Sequence, residues 1–148
     1  MASIEMTGLT KNFGELTAVN DLNLKIRDKE FVALLGPSGC GKTTTMNMIA
    51  GIEMPSAGSI LFDGRDMRTT PANKRDVGFV FQNYAIFTHM TVRKNLEFGL
   101  RVRGVEKSEI QRRVQNMADL MRLNDRLDWR TAKLSVNELQ KVAIGRSA

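Results

Sequence analysis

The nine residues Gly36 to Thr44 read GPSGCGKTT, and the fold is decided there. Gly36, Gly41, Lys42 and Thr43 fit the spacing G-x-x-x-x-G-K-[ST] of a phosphate-binding loop. The flanks supply the context that spacing requires. Before it, Phe31 to Leu35 (FVALL) is a short apolar run that predicts a buried strand. After it, TTTMNMIAG has helical spacing at Met46, Ile49 and Ala50 and a closing Gly51. Strand, glycine-rich loop and helix in that order form one unit of an α/β fold.

The residue types follow from the chemistry of a polyphosphate. Gly36, Gly39 and Gly41 let consecutive backbone N–H groups turn toward one anion. The helix that follows adds the partial positive charge of its N-terminus. Lys42 supplies an ammonium for the outer phosphates, and the Thr43 hydroxyl is placed to ligate Mg²⁺. The ligand read from this stretch is therefore a triphosphate with magnesium. Pro37, Ser38, Cys40 and Thr44 complete the loop.

At 148 residues the chain holds one domain at most. Its longest apolar run, Phe31 to Leu35, is far too short to span a bilayer. Met1 to Met6 lacks the basic and apolar regions of a signal peptide, and Ala2 excludes N-myristoylation. A single cysteine, Cys40, makes no internal disulfide and fits a reducing compartment. The formal net charge of +6 is unevenly placed. Residues 1–92 carry 9 basic and 9 acidic side chains, whereas residues 93–148 carry 13 and 7. No nucleic-acid motif accompanies the basic half, and only Phe98 and Trp129 are aromatic there, so a solvated helical face is preferred over a nucleic-acid surface.

Ser3 to Lys11 and Ala18 to Ile26 predict two strands joined by a turn at residues 12–15. Phe13 lies in that turn, where two roles fit equally: stacking on a base, or covering the sheet. Ser59 to Phe62 predicts a short strand before the turn dipeptide Asp63-Gly64. Val77 to Phe81 (VGFVF) predicts a second buried strand ending at Gln82. The Gln82 amide either reaches Mg²⁺ or an attacking water, or simply begins the next loop. Thr91 is a candidate N-cap, with Val92, Leu96, Gly99 and Leu100 on one helical face before Gly104. Ser108 and Gln111 predict a second helix start. Ile110, Val114, Met117, Ala118 and Met121 then form an apolar stripe read as core. Ser135 and Glu138 have capping-box spacing at the head of a last helix, which runs to the end at Ala148.

Taken together, these motifs resemble an ATP-binding-cassette (ABC) ATPase over essentially the whole chain. The matching features are the phosphate loop, the glutamine after VGFVF, the inserted helices and the LS-led helix, all in the family's order. QNYAIFTHMTVRKN, Gln82 to Asn95, and KNFGELTAVNDLNLKI near the start are similar to the equivalent runs of sugar-importer ATPase subunits. The resemblance implies a P-loop NTPase fold of α/β class, with an N-terminal antiparallel β-subdomain, an inserted helical subdomain and a missing C-terminal part. It divides the partial nucleotide-binding domain, 1–148, into a β-subdomain and P-loop core (1–90), a helical subdomain (91–133) and the start of the signature helix (134–148).

The resemblance also implies roles. Phe13 stacks on adenine, and residues 36–44 hold the phosphates and Mg²⁺. Gln82 senses the γ-phosphate and serves as a second magnesium ligand. Tyr84 to Val92, with the sole histidine His89, receives a coupling helix from permease subunits. Ser135 contacts the γ-phosphate bound by a second ATPase subunit. The protein would then act on the inner face of the cell membrane, in the cytoplasm, as the ATPase of an importer for a sugar or related polar solute. The alternatives are a non-hydrolysing regulatory module or, more remotely, a soluble ATPase linked to nucleic acid.

Two departures from the family pattern carry expectations. The signature LSGGQ reads Leu134-Ser135-Val136-Asn137-Glu138 here. Val136 adds a β-branched side chain where backbone must approach phosphate, and Glu138 sets a negative charge near an anion, so a weakened composite site is expected. The acidic strand, the catalytic glutamate and the switch histidine follow the signature helix in the family and are absent from this sequence. Hydrolysis by this chain alone is therefore not expected, and apolar strand faces should be left uncovered. Cys40, among loop N–H groups near Lys42, is expected to react with alkylating agents and to be protected by MgATP.

Overall fold

The computed structural model of the chain describes residues 2–147, which fall into two units, Met1–Val77 and Gly78–Ala148. In the first unit a long hairpin is formed by β1 (Ile4–Phe13) and β2 (Leu16–Ile26). The hairpin extends further toward its tip than the residue pattern predicts, so that Phe13 pairs with Leu16 as part of the ladder. Strand β3 (Ala57–Phe62) pairs with the other edge of β1. The two-residue β4 (Arg65–Asp66) follows through Asp63-Gly64, both at positive φ as a type I′ hairpin requires. The sheet is antiparallel throughout, in the order β2-β1-β3-β4.

Met6 and Leu9 are both buried although three residues apart, which strict alternation forbids. Register shifts between them, and a second shift on the way to the buried Val19, restore the inward face. Helix α1 (Lys42–Ala50) packs Met48 and Ile49 against Met6, Leu9, Val19, Ile60 and Phe62. Met46, expected on the buried face, is exposed, and Met48 takes that place. Each fully buried side chain here, Met6, Leu9, Met48 or Ile60, stabilises the unit by about 1.5–3 kcal/mol. Arg75 is buried at the end of α1 and donates to the Met48, Ile49 and Thr70 carbonyl oxygens at 2.7, 2.9 and 2.7 Å. It satisfies acceptors that the helix end leaves without partners.

Two expected strands are not formed. Among the described residues, neither Phe31–Leu35 nor Val77–Phe81 joins a ladder. Phe31 and Leu35 are 94% and 91% exposed, and Val80 and Phe81 are also exposed. The physical reason is pairing: a parallel strand exists only beside a neighbour that accepts and donates its main-chain hydrogen bonds, and none lies beside either run. Apolar strand sequence is therefore left uncovered, as the resemblance implied.

The second unit is helical. Helix α2 (Val92–Val102) is capped by the Thr91 hydroxyl, which accepts from the Lys94 N–H at 3.2 Å. Helix α3 (Lys107–Met121) does not use the Ser108–Gln111 start. The Glu106 carboxylate lies nearer the first turn and accepts from the Ser108 and Glu109 N–H groups at 2.8 and 3.3 Å. Helix α4 (Val136–Ser147) follows a 3-10 turn at Thr131–Lys133; its expected end at Ala148, like the Met1 end of the first stretch, lies outside the described residues. The α3 stripe packs as expected: Ile110, Val114 and Ala118 are buried with Val92, Leu96, Leu123, Leu127, Leu134 and Val142, and Met117 and Met121 flank them. On α2, Val92 and Leu96 are buried and Leu100 packs half-buried against the same core, as expected, whereas Gly99 is exposed and the polar Asn95 and Glu97 are also buried.

Candidate functional site

The glycine-rich loop delivers the chain into α1 at Gly41, which caps the helix at φ 91° and ψ 1°. A Cβ at that position would lie 2.4 Å from the Ala18 carbonyl oxygen and 3.0 Å from Val19 Cγ2, so the loop end rests directly on β2. Lys42 folds back over the loop. Its Nζ donates to the Gly36 and Pro37 carbonyl oxygens at 2.8 and 2.7 Å and lies 3.4 Å from Cys40 Sγ. Thr45 is buried, with its hydroxyl donating to the Gly41 carbonyl at 3.0 Å, which leaves Thr43 exposed on the first turn. Ser38, Gly39 and Cys40 are exposed along the loop, and Thr44 is half-buried. The result is an exposed ammonium suspended over bent backbone at a helix N-terminus, an arrangement chemically suited to anions.

Phe13 stands at the hairpin tip, half-exposed, with Lys11 Nζ 4.8 Å from its ring centroid. The ring is a strand-end platform rather than a turn residue. Lys11 is itself tied to the Met54 carbonyl and to Glu53 at 2.8 and 3.0 Å, which fixes that side of the platform.

In the helical unit, the head of α4 is closed by its own residues. The Glu138 carboxylate accepts from the Ser135 N–H at 2.8 Å and from the Ser135 hydroxyl at 2.7 Å, and the Glu138 N–H reaches back to Ser135 Oγ at 3.4 Å. This is the expected capping box. Arg126, which the sequence reading did not single out, holds the other carboxylate oxygen at 3.0 Å. The Ser135 hydroxyl and N–H, followed by Arg126, draw the Glu138 carboxyl down to a pKa of about 2. Val136 projects into solvent.

Gln82 is exposed at the start of a turn whose last two residues, Tyr84 and Ala85, are both left-handed, at φ 62° and 46°. Asn95 secures the following stretch. Its Oδ1 accepts from the Phe87 N–H at 3.0 Å, and its Nδ2 donates to the Phe87 and Thr91 carbonyls at 3.1 and 3.0 Å. The Thr131 hydroxyl also donates to the Phe87 carbonyl, at 3.0 Å. His89 is exposed, its ring 6.2 Å from that of Phe87. Asn95 was legible in principle, because it lies one turn after Thr91 on the apolar face of α2. No sequence signal pointed to Arg126.

Residues 19–148 match the sequence profile of the family described as ABC transporter. The chain belongs to the ABC transporter family. It is 45% identical over 147 residues to the sn-glycerol-3-phosphate import ATP-binding protein UgpC 3 of Rhizobium etli, covering 99% of this chain and 42% of that protein. It is 44% identical to the maltose/maltodextrin import ATP-binding protein MalK of Yersinia pestis, covering 99% and 40%. The chain thus spans about two fifths of the length of these curated relatives. Among solved structures, the dimeric structure of MJ0796, a bacterial ABC transporter cassette, matches with a TM-score of 0.87 at 28% identity over 97% of this chain and 68% of that one. The post-hydrolysis dimer of MJ0796 bound to ADP and Pi matches with a TM-score of 0.86 at 27% identity, with the same coverage.

Proposed function

We propose that this chain is the nucleotide-binding part of an importer ATPase, taking MgATP on residues 36–44 and coupling it to uptake of a sugar or related polar solute. The observation that supports this most directly is Lys42, whose Nζ is held over the Gly36 and Pro37 carbonyls at the N-terminus of α1 in a chain so similar to import ATP-binding proteins. On binding, the ammonium would exchange two neutral carbonyl acceptors for anionic phosphate oxygens, which adds Coulomb attraction to bonds the ammonium already charges from one side. The loop N–H groups orient the phosphates and Phe13 stacks on the adenine. Thr43, exposed on the first turn, would hold magnesium. The ion would neutralise phosphate charge.

Tyr84 to Val92 would meet the permease subunits, and Ser135 would face nucleotide held by a second ATPase subunit. The working location is the cytoplasmic face of the membrane; no helix among the described residues is long and apolar enough to cross it. The domain scheme is a β-subdomain and P-loop core at 1–90, a helical subdomain at 91–133 and the signature helix from 134.

The test is calorimetry with MgATP on the chain and on Lys42→Met. The wild type takes up nucleotide, and the variant loses at least about tenfold in affinity, as the loss of one charge-assisted contact dictates, with unchanged circular dichroism. Absence of uptake by the folded wild type overturns the assignment. The Glu138–Ser135 bonds favour a second reading of the same site, a binding module without turnover. Steady phosphate release that disappears with Lys42→Met would refute that second reading.

A further inference from the structure

The C-terminal turn of α4 grips the segment that carries Gln82 at two points. At the first, the Arg146 Nη1 donates to the Ala85 carbonyl, and the guanidinium lies 4.5 Å from the Phe87 ring centroid. At the second, Gly78 comes so close that a Cβ there would stand 2.3 Å from the Ser147 carbonyl oxygen. Gln82 lies between these grips. The backbone it leads into is strained, because two consecutive non-glycine residues, Tyr84 and Ala85, sit in the left-handed region. Such a conformation persists only where surrounding contacts over-determine it, and it gathers where strain serves function. Here Arg146 on α4 holds the Ala85 carbonyl itself, and Asn95 on α2 and Thr131 in the 3-10 turn fix Phe87, two residues further on.

The two ends of α4 thereby acquire different partners. The first turn holds the Ser135–Glu138 box, and the last turn holds residues 85 and 87. Twelve helical residues separate these ends by about 18 Å of stiff rod. Cation–π stacking and a hydrogen bond on one planar guanidinium transmit both position and tilt, which a lysine point charge does not.

We propose that Arg146 is a positioning residue that latches the last turn of α4 to residues 85–87, so that a displacement of the Ser135 end is delivered to the Gln82–Phe87 segment. The latch would link nucleotide contact at Ser135 to the permease-facing stretch, and in that respect it rests on the function proposed above. The mechanical connection itself is a property of this unit alone.

Residue-resolved amide exchange on the 148-residue chain, without nucleotide, tests it. Arg146→Met and Arg146→Lys should speed exchange of the 85–87 amides by about tenfold or more while buried amides of α2 and α3 keep their rates. A merely structural role would lower protection across the whole helical unit, and that result overturns the proposal. If Arg146→Met does not fold, Arg146→Lys, which keeps the charge, carries the comparison. A double-mutant cycle supplies the coupling. Glu138→Ala, at the far end of α4, should shift the Ala85 and Phe87 amide resonances with Arg146 present and leave them unmoved in the Arg146→Lys background. Resonances that ignore Glu138→Ala when Arg146 is intact, or that respond equally in both backgrounds, refute the latch. Failure to bind ATP would sink the proposed function and leave these results as they stand.

Discussion

Gly41→Ala and Gly39→Ala are a matched pair, and their difference is set by the glycine-rich loop's seat on β2. Both positions are left-handed, at φ 91° and 83°. Both substitutions therefore cost about 1–2 kcal/mol in backbone strain. At Gly39 nothing lies within 4 Å of the added Cβ, and the cost ends there. At Gly41 the methyl would meet the Ala18 carbonyl oxygen at 2.4 Å and Val19 Cγ2 at 3.0 Å. That oxygen belongs to a strand whose neighbours Thr17 and Val19 are paired to β1, so it does not swing away without breaking the ladder. Overpacking of this kind adds about 1–3 kcal/mol, for a total of about 2–5 kcal/mol at Gly41 against about 1–2 at Gly39. Urea unfolding, with amide exchange in α1 and β2 as the local readout, measures both costs. Unchanged denaturant slopes would show that the native contacts are being compared. Equal losses for the two variants would refute the steric argument.

Further outcomes follow from the helical unit and the core. Glu138→Gln should remove an acid-sensitive part of stability. The folded carboxyl sits at about 2, below its ordinary 4.5, so its contribution is complete above about pH 4.5 and disappears as the pH falls toward 2. Thermal melts at pH 7 and pH 3 should lie closer together in the variant than in the wild type, and an unaltered spacing counts against the cap. Asn95→Ala leaves the Phe87 N–H without its acceptor, while the Phe87 carbonyl keeps Thr131 and the Thr91 carbonyl keeps the Asn95 N–H. One orphaned donor and the lost bonds should cost about 2–4 kcal/mol by chemical denaturation. Leu9→Ala, at a fully buried site, should cost about 2–5 kcal/mol in the same assay, and a loss below 1 would show that the sheet core relaxes into the space.

Local chemistry made much of this molecule readable in advance. The helix after Gly41, the Thr91 cap, the Ser135–Glu138 box and the α3 stripe each depend on residues a few positions apart, and each forms as the spacing dictates. Phe31–Leu35 and Val77–Phe81 were misread as formed strands because apolar runs state a preference for burial but do not supply a neighbour. Glu106 displaced Ser108 as the α3 cap because its carboxylate, two residues earlier, accepts from the Ser108 and Glu109 N–H groups and starts the helix at Lys107. Arg126 and Arg146 act across 12 and 61 residues of sequence, and such distances leave no local pattern to read.

The only indole in the sequence, Trp129, lies under Arg126, whose guanidinium carbon is 4.1 Å from the ring centroid. The same guanidinium reaches Glu138 at the head of α4. The protein therefore carries its own optical reporter: whatever draws Glu138 off Arg126 strips or reorients the cation over Trp129, and the emission of one native fluorophore registers the event without a label.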